Sequence, residues 1–166
     1  FPHITNRRIA SNGIELNIAE QGKDDAPLIV MLHGFPESWF SWRHQFAPLA
    51  AAGYHVVAPD MRGYGESDKP ADITAYNQVE IVNDIKGLVD TLGYETAIVI
   101  GHDWGGPTAW SCALWHPETF TAVGVLSVPF IPRSPIPPLD AMKAFFKGKF
   151  FYQLYFQTPG VAEAEF

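Results

Sequence analysis

Short apolar runs that alternate with segments of helical periodicity constrain the fold more than any other feature of this chain. Residues 28–32 are uninterrupted in their apolar character, as expected of a strand buried on both faces of a parallel sheet. Similar runs of strand length follow at residues 54–58, 97–100 and 123–127. Helical spacing of apolar residues lies between them, at residues 39–52, at 77–92 and from the glycine-rich turn after position 100 to about Trp115. This alternation predicts an α/β fold with a mostly parallel sheet and helices on both faces.

The two ends of the chain depart from this alternation. Residues 8–10 and 14–19 predict two strands around a turn at Asn12, which gives an antiparallel pair at the edge of the sheet. From Pro129 onward prolines become frequent, and residues 140–166 are aromatic-rich with helical patterns only in pieces. We therefore predict two parts, a core over residues 1–131 and the start of a second, helical domain over 132–166.

Composition excludes several classes of function. The chain has 11 lysines and arginines against 18 acidic residues, a net charge of −7, which argues against nucleic acid or an anionic membrane surface as a partner. Its single cysteine, Cys112, cannot form an intrachain disulfide or a cysteine-based zinc site. The longest apolar stretches are far shorter than a membrane span. No signal peptide is visible, and we expect a cytoplasmic protein.

The turn after residues 97–100 has the pattern of a nucleophile elbow with an acid at its tip. Asp103 follows the apolar strand, and Gly101 and Gly105 lie two residues away on either side. A tight strand-to-helix turn has no room for side chains at those two positions, and it lifts the central side chain out of the sheet edge. The N-terminus of the following helix favours an anion there. We predict that Asp103 is a nucleophile.

Two other interpretations of this turn stay open on the sequence alone. Asp103 is also a residue type that caps helix N-termini by accepting backbone hydrogen bonds. Its neighbour His102 could be proposed as a base, but adjacent residues leaving a strand point in opposite directions. We expect His102 to orient the turn.

A second motif, His-Gly-Phe-Pro at residues 33–36, follows the apolar run 28–32. Ligands of α/β sheets bind beyond the carboxyl ends of the strands, so this loop is expected at the same edge as the elbow. A backbone N–H in the loop, that of Phe35, and the N–H of Trp104 would then form an oxyanion hole. The alternative is an ordinary strand-to-helix turn.

A third stretch, residues 60–70, holds many ionisable groups among its glycines and prolines. Glycines in such a setting form turns. We predict a structural role for this loop, in which Asp60 and Arg62 pair and brace it.

Taken together, residues 33–36, 60–65 and 101–106 resemble the N-terminal half of an α/β-hydrolase, and specifically of an epoxide hydrolase. Residues 152–157 and 159–165 are similar to the cap-domain stretch of soluble epoxide hydrolases. The resemblance covers essentially the whole chain. It implies an α/β-hydrolase fold over residues 1–131, with the cap starting at 132.

The resemblance also implies a set of roles. Asp103 is the nucleophile, and Phe35 and Trp104 supply the oxyanion N–H groups. Tyr152 matches the first of two cap tyrosines that hydrogen-bond to the epoxide oxygen. The substrate pocket is lined by His33, Pro36, Trp104 and Tyr152. Tyr155 competes with Tyr152 for the cap role, and the alternative for Tyr152 is one more aromatic residue in a packed cluster.

The implied reaction is the opening of a small-molecule epoxide by water to a vicinal diol, through an ester on Asp103. No cofactor and no metal is implied, and a homodimer is compatible with the resemblance. In the family the base histidine, its acid and the second tyrosine lie after the cap. None of the six histidines here occupies such a place, so we expect the chain to be part of a longer protein.

Two alternatives remain. A haloalkane dehalogenase-like enzyme would use the same aspartate, although such enzymes often carry asparagine where Phe35 stands. A non-catalytic binding protein would keep the capped pocket without the base.

Overall fold

The computed structural model describes residues 3–165, and six strands form one sheet in that part of the chain. They are β1 Thr5–Ser11, β2 Ile14–Gln21, β3 Leu28–Leu32, β4 His55–Pro59, β5 Ala97–His102 and β6 Phe120–Leu126. Their order is β1-β2-β4-β3-β5-β6. Strands β1 and β2 pair antiparallel at one edge, β2 is antiparallel to β4, and β4, β3, β5 and β6 are mutually parallel. The predicted fold class is confirmed.

Helices that connect the parallel strands cover both faces of the sheet, and further helices follow β6 along the chain. The α-helices are α1 Phe46–Ala51, α2 Gln78–Thr91, α3 Gly105–Trp115, α4 Pro138–Phe146 and α5 Tyr152–Tyr155. Two 3-10 helices lie at Trp39–Trp42 and Ile73–Tyr76. Helix α2 begins where the side chain of Asn77 accepts the N–H groups of Val79 and Glu80, at 2.9 and 3.1 Å. That contact satisfies two donors that an uncapped helix would leave unpaired.

Strand β3 shows why the central strands are apolar throughout. Its alternate residues Leu28, Val30 and Leu32 pack into one core with α2 and α3, while Ile29 and Met31 face a second core on the opposite side. Since successive side chains of a strand point to opposite faces, burial of both faces requires apolar residues at every position. The side chain of Phe46 from α1 fills the second core and is fully buried.

The predicted helix over residues 39–52 is wrong as a single element. The segment forms a 3-10 helix at Trp39–Trp42, turns, and resumes as α1 at Phe46–Ala51. Pro48 explains the break, because proline in a helix interior removes an N–H and its ring clashes with the carbonyl four residues earlier. Within the first turn of α1 the same proline is tolerated.

Strand β6 is displaced from its predicted position at residues 123–127. It begins at Phe120, which pairs with Ala97 of β5, and ends at Leu126. Ser127 has φ +68° and therefore cannot continue the strand.

The predicted pair between Asp60 and Arg62 is also wrong. The guanidinium of Arg62 makes two hydrogen bonds to Asp84 of α2, at 2.8 and 2.6 Å. The carboxylate of Asp60 instead accepts the N–H groups of Trp39 and Glu66, at 2.9 and 3.0 Å. Both residues therefore hold the loop in place, but each does so through its own contacts. Arg62 pairs with Asp84 because its planar guanidinium can form two parallel hydrogen bonds to a carboxylate.

The chain divides between Phe130 and Ile131 into two compact units. The second unit contains α4 and α5, which agrees with the predicted helical pieces. Its aromatic side chains contact one another: the rings of Phe146 and Phe151 stack at 4.0 Å, and Phe151 lies 5.2 Å from Tyr152. Among residues 3–165, no helix combines the length and apolar character needed to cross a membrane. The assignment of this unit as a cap stays a prediction.

Candidate active site

Asp103 occupies a constrained turn between β5 and α3. Its φ of +51° lies in the left-handed region, which non-glycine residues rarely adopt. A Cβ added to Gly101 would lie 2.1 Å from the carbonyl oxygen of Gly105, and one added to Gly105 would lie 2.2 Å from that of Leu32. Both glycines therefore permit backbone approaches that a side chain would block, as the sequence pattern indicated.

The carboxylate of Asp103 is held through one oxygen. Oδ1 accepts the backbone N–H of Phe35 at 2.9 Å and that of Trp104 at 2.8 Å. The two N–H groups named from the sequence thus converge on a single atom. Within residues 3–165 no hydrogen bond to Oδ2 is formed, so this oxygen is the one available to a reacting partner.

The helix-cap interpretation of Asp103 does not match this geometry. A capping side chain accepts N–H groups two or three residues inside the helix. Here the carboxylate contacts the N–H of the next residue, Trp104, and of a separate loop. The N–H of Gly106 is bonded to the backbone carbonyl of Asp103 instead, at 2.9 Å.

His33 connects the loop at residues 33–36 to Met61 through its two ring nitrogens. The ring is buried, and its Nδ1 lies 2.8 Å from the carbonyl oxygen of Gly34. Its Nε2 accepts the N–H of Met61 at 2.9 Å. Burial lowers the pKa of His33, and the Gly34 carbonyl and the charges of Asp60 and Glu37 only oppose that effect. Pro36, the last residue of this motif, is exposed.

Two residues at this site, Glu37 and Ser127, make contacts that carry no clear sequence signal. The side chain of Glu37 accepts the N–H of Gly34 at 3.1 Å, and the same oxygen lies 3.6 Å from Nδ1 of His102. The expected role of His102 in orienting the turn stays a prediction. The hydroxyl of Ser127, just after β6, accepts the N–H of Asp103 at 3.3 Å. The residue types alone do not show which loop will face them.

A cavity of about 100 Å³ lies beside the site within the first unit. Trp104, about half exposed, lines it together with His33 and Tyr64. The Tyr64 ring packs edge-on against His33 with centroids 4.9 Å apart. Burial, and after it the charge of Asp103, raises the pKa of Tyr64, so its phenol keeps its proton.

The two candidate tyrosines both belong to the second unit. The Tyr152 hydroxyl accepts a hydrogen bond from the side-chain amide of Gln153 at 3.1 Å, and its ring lies 6.1 Å from Phe156. The Tyr155 hydroxyl donates to Glu165 at 2.5 Å, a contact that raises the pKa of Tyr155. A larger cavity of about 940 Å³ is lined by residues 131–146 of this unit and by none of the predicted site residues.

Comparison with known proteins identifies the fold family. A sequence model of the alpha/beta hydrolase fold matches residues 27–157. The chain belongs to this family. Epoxide hydrolase A of Mycobacterium tuberculosis is 48% identical over 161 residues, which are 97% of this chain and 50% of that protein. Bifunctional epoxide hydrolase 2 of Sus scrofa is 47% identical over 154 residues, 92% of this chain and 27% of that protein.

A solved structure of epoxide hydrolase A from Mycobacterium thermoresistibile superposes with a TM-score of 0.95 at 48% identity, covering 98% of this chain and 51% of that one. These similarities confirm the resemblance to epoxide hydrolases that the motifs indicated. The chain spans half the length of the Mycobacterium tuberculosis relative, and a smaller share of the bifunctional protein.

Proposed function

We propose that the whole protein is an epoxide hydrolase that opens an epoxide to a vicinal diol through an ester on Asp103. The observation that carries this proposal is the asymmetry of the carboxylate. Its Oδ1 is engaged by the N–H groups of Phe35 and Trp104, which leaves Oδ2 for attack. The names of the relatives support the substrate class, since they are called epoxide hydrolases.

In the first step, Oδ2 of Asp103 attacks a ring carbon of the epoxide and forms an ester bond. The bond from that carbon to the ring oxygen breaks, and its electron pair stays on the oxygen. The resulting alkoxide needs a proton or a strong hydrogen bond. We assign this donation to the phenol of Tyr152, which the resemblance implies.

In the second step, water attacks Cγ of the ester and the carbonyl electron pair moves onto Oδ1. The two N–H groups then stabilise a full negative charge at an atom they already contact, which is the effect of an oxyanion hole. The water gives its proton to a base, which the resemblance places at a histidine outside residues 1–166. When the bond between Cγ and Oδ2 breaks, its electron pair stays on Oδ2, which takes the proton back from the base and leaves with the diol. The second proton of the water returns to the phenol of Tyr152, which restores the carboxylate with the oxygen of water now in Asp103.

The dehalogenase alternative would use the same attacking oxygen. A carboxylate displaces halide from a saturated carbon by the same bond changes, and halide leaves without needing a proton. A donor such as Tyr152 is therefore useful for an epoxide and unnecessary for a halide, which favours the epoxide.

The test is a single turnover of the whole protein with styrene oxide in ¹⁸O-labelled water, run beside a haloalkane. The first turnover should give unlabelled diol and place the label in the peptide that contains Asp103, because water attacks Cγ. Asp103→Ala should abolish the ester and lower kcat by roughly 10⁴-fold or more.

The matched control is Asp25→Ala, an exposed acid that precedes β3 at the other end of the sheet. It should behave as the unaltered protein. Label in the diol of the first turnover, or halide release without diol formation, would contradict the proposal.

A further inference from the structure

The hydrogen bonds of His33 define its tautomer. The N–H of Met61 can only donate, so Nε2, at 2.9 Å from it, must carry the lone pair. The ring proton then sits on Nδ1, which donates to the carbonyl oxygen of Gly34 at 2.8 Å. The ring is only 1% exposed, so water does not compete for either nitrogen. The lowered pKa of His33 agrees with a neutral ring.

The carbonyl that His33 holds belongs to the peptide unit that supplies an oxyanion donor. The C=O of Gly34 and the N–H of Phe35 lie in one plane and, in this trans peptide, point in opposite directions. The same oxygen also accepts the backbone N–H of Glu37 at 3.0 Å, so His33 is one of two donors that set the direction of the Phe35 N–H on the other side. That N–H meets Oδ1 of Asp103 at 2.9 Å.

We infer that His33 is a positioning residue, whose Nδ1–H aims the Phe35 N–H at Asp103 and whose tautomer is held by Met61. This inference rests on the proposed function for its effect on rate. The N–H of Phe35 contributes most when charge develops on Oδ1, which happens during ester hydrolysis. Loss of the Nδ1 donor should therefore slow ester hydrolysis more than ester formation.

Two substitutions separate the nitrogens of the ring. The amide of His33→Asn can place an N–H near the position of Nδ1, which keeps the bond to Gly34 and loses the one to Met61. The longer side chain of His33→Gln can place an oxygen near the position of Nε2, which keeps the bond to Met61 and loses the one to Gly34. His33→Asn leaves the N–H of Met61 without its acceptor, whereas in His33→Gln the carbonyl of Gly34 keeps the N–H of Glu37, at 3.0 Å. We therefore expect His33→Asn to lower the melting temperature more than His33→Gln.

The experiment measures ester formation and ester hydrolysis separately in single turnovers of the whole protein, with styrene oxide as the probe. In His33→Gln, ester hydrolysis should slow at least tenfold and the ester on Asp103 should accumulate. In His33→Asn, which keeps the bond to Gly34, ester hydrolysis should slow clearly less than in His33→Gln. Equal hydrolysis rates in the two variants, measured where both are fully folded, would overturn the inference.

A readout independent of turnover is the hydrogen exchange of the Phe35 amide. The amide should stay protected in His33→Asn and lose protection in His33→Gln, while the Trp104 amide stays protected in both. If the unaltered protein forms no ester, the proposed function fails, and the exchange pattern still decides the role of His33. Equal protection of Phe35 in the two variants would contradict that role.

Discussion

The backbone of Gly34 approaches Asp103 more closely than a side chain would allow. A Cβ at position 34 would lie 2.5 Å from Cβ of Asp103 and 2.9 Å from its Oδ1. Carbon atoms in contact are normally 3.5 to 4.0 Å apart, so one of the two loops would have to move. The two halves of the site are therefore fitted to each other through a glycine.

Gly34→Ala should consequently lower kcat for the proposed epoxide hydrolysis by about 100-fold, since a displacement near 1 Å can cost that much. The matched control is Gly124→Ala in β6, where the added Cβ would lie 3.5 Å from Ile100, an ordinary contact. Steady-state kinetics of both variants in the whole protein, with melting temperatures, is the measurement. Equal activity of the two variants would show that the approach at position 34 has no catalytic importance.

Residue types and spacing predict part of this site and not the rest. Asp103 and its flanking glycines form a local pattern, so the geometry around them follows from the sequence. The sequence did not point to Glu37 or Ser127. Glu37 turns back to accept an N–H of its own loop, and Ser127 accepts an N–H from a separate segment, that of Asp103. Such partners are set by how the loops pack, which single-residue patterns do not encode.

At the level of elements, the loop at residues 60–70 is tied to helix α2 by a buried ion pair. The side chains of Arg62 and Asp84 are 5% and 1% exposed, and their closest atoms are 2.6 Å apart. Burial raises the pKa of Asp84, against the effect of Arg62, while the hydrogen bond to Asp84 raises the pKa of Arg62. Asp84 also accepts the side-chain amide of Asn12 at 3.0 Å, which joins the β1–β2 turn to the same helix.

Asp84→Leu should destabilise the protein by about 3 to 5 kcal/mol, because the buried Arg62 charge loses both hydrogen bonds to Asp84 and keeps only Glu80, 3.9 Å away. The double variant Arg62→Met/Asp84→Leu should recover most of that loss, since replacing both partners removes the unpaired charge. Urea unfolding of the single and double variants measures both effects. A single variant within 1 kcal/mol of the unaltered protein would mean that water reaches the pair.

The elements themselves were predicted with uneven success, for physical reasons. Buried strands such as β3 form where their apolar pattern predicts them, because tertiary packing favours the same structure as the pattern. The segment at residues 39–52 has helical spacing, but Pro48 and the packing of Phe46 into the second core divide it. The pairing of Arg62 with Asp84 joins residues 22 positions apart, and the nearer Asp60 was the wrong partner.

At the scale of the molecule, the parallel strands bring distant segments to one edge. The carboxyl ends of β3, β5 and β6 are followed by His33, Asp103 and Ser127. Ser127 contacts Asp103 directly, and His33 contacts the peptide unit whose N–H donates to Asp103. The shared edge follows from the strand polarity that the sequence predicts. The order β4-β3-β5-β6 depends on which faces the connecting helices cover, and a single sequence does not determine it.

Cys112 offers a measure of the integrity of the first unit as a whole. It lies in α3, is fully buried in the core shared with β3 and α2, and burial raises its pKa to about 12. Thiolate is the reactive form of cysteine. The native Cys112 should therefore be unreactive at pH 8, because its thiol keeps its proton and reagents cannot reach it.

Iodoacetamide should therefore label Cys112 only through opening of that core, at a rate that rises with urea in step with global unfolding. The control is Glu118→Cys, just after α3, where the native side chain is 68% exposed and labelling should be fast without denaturant. Mass spectrometry of the two peptides in the whole protein gives both rates. If Cys112 were labelled as fast as position 118 in the absence of urea, the prediction would be wrong. Helix α3 would then open without global unfolding of the first unit.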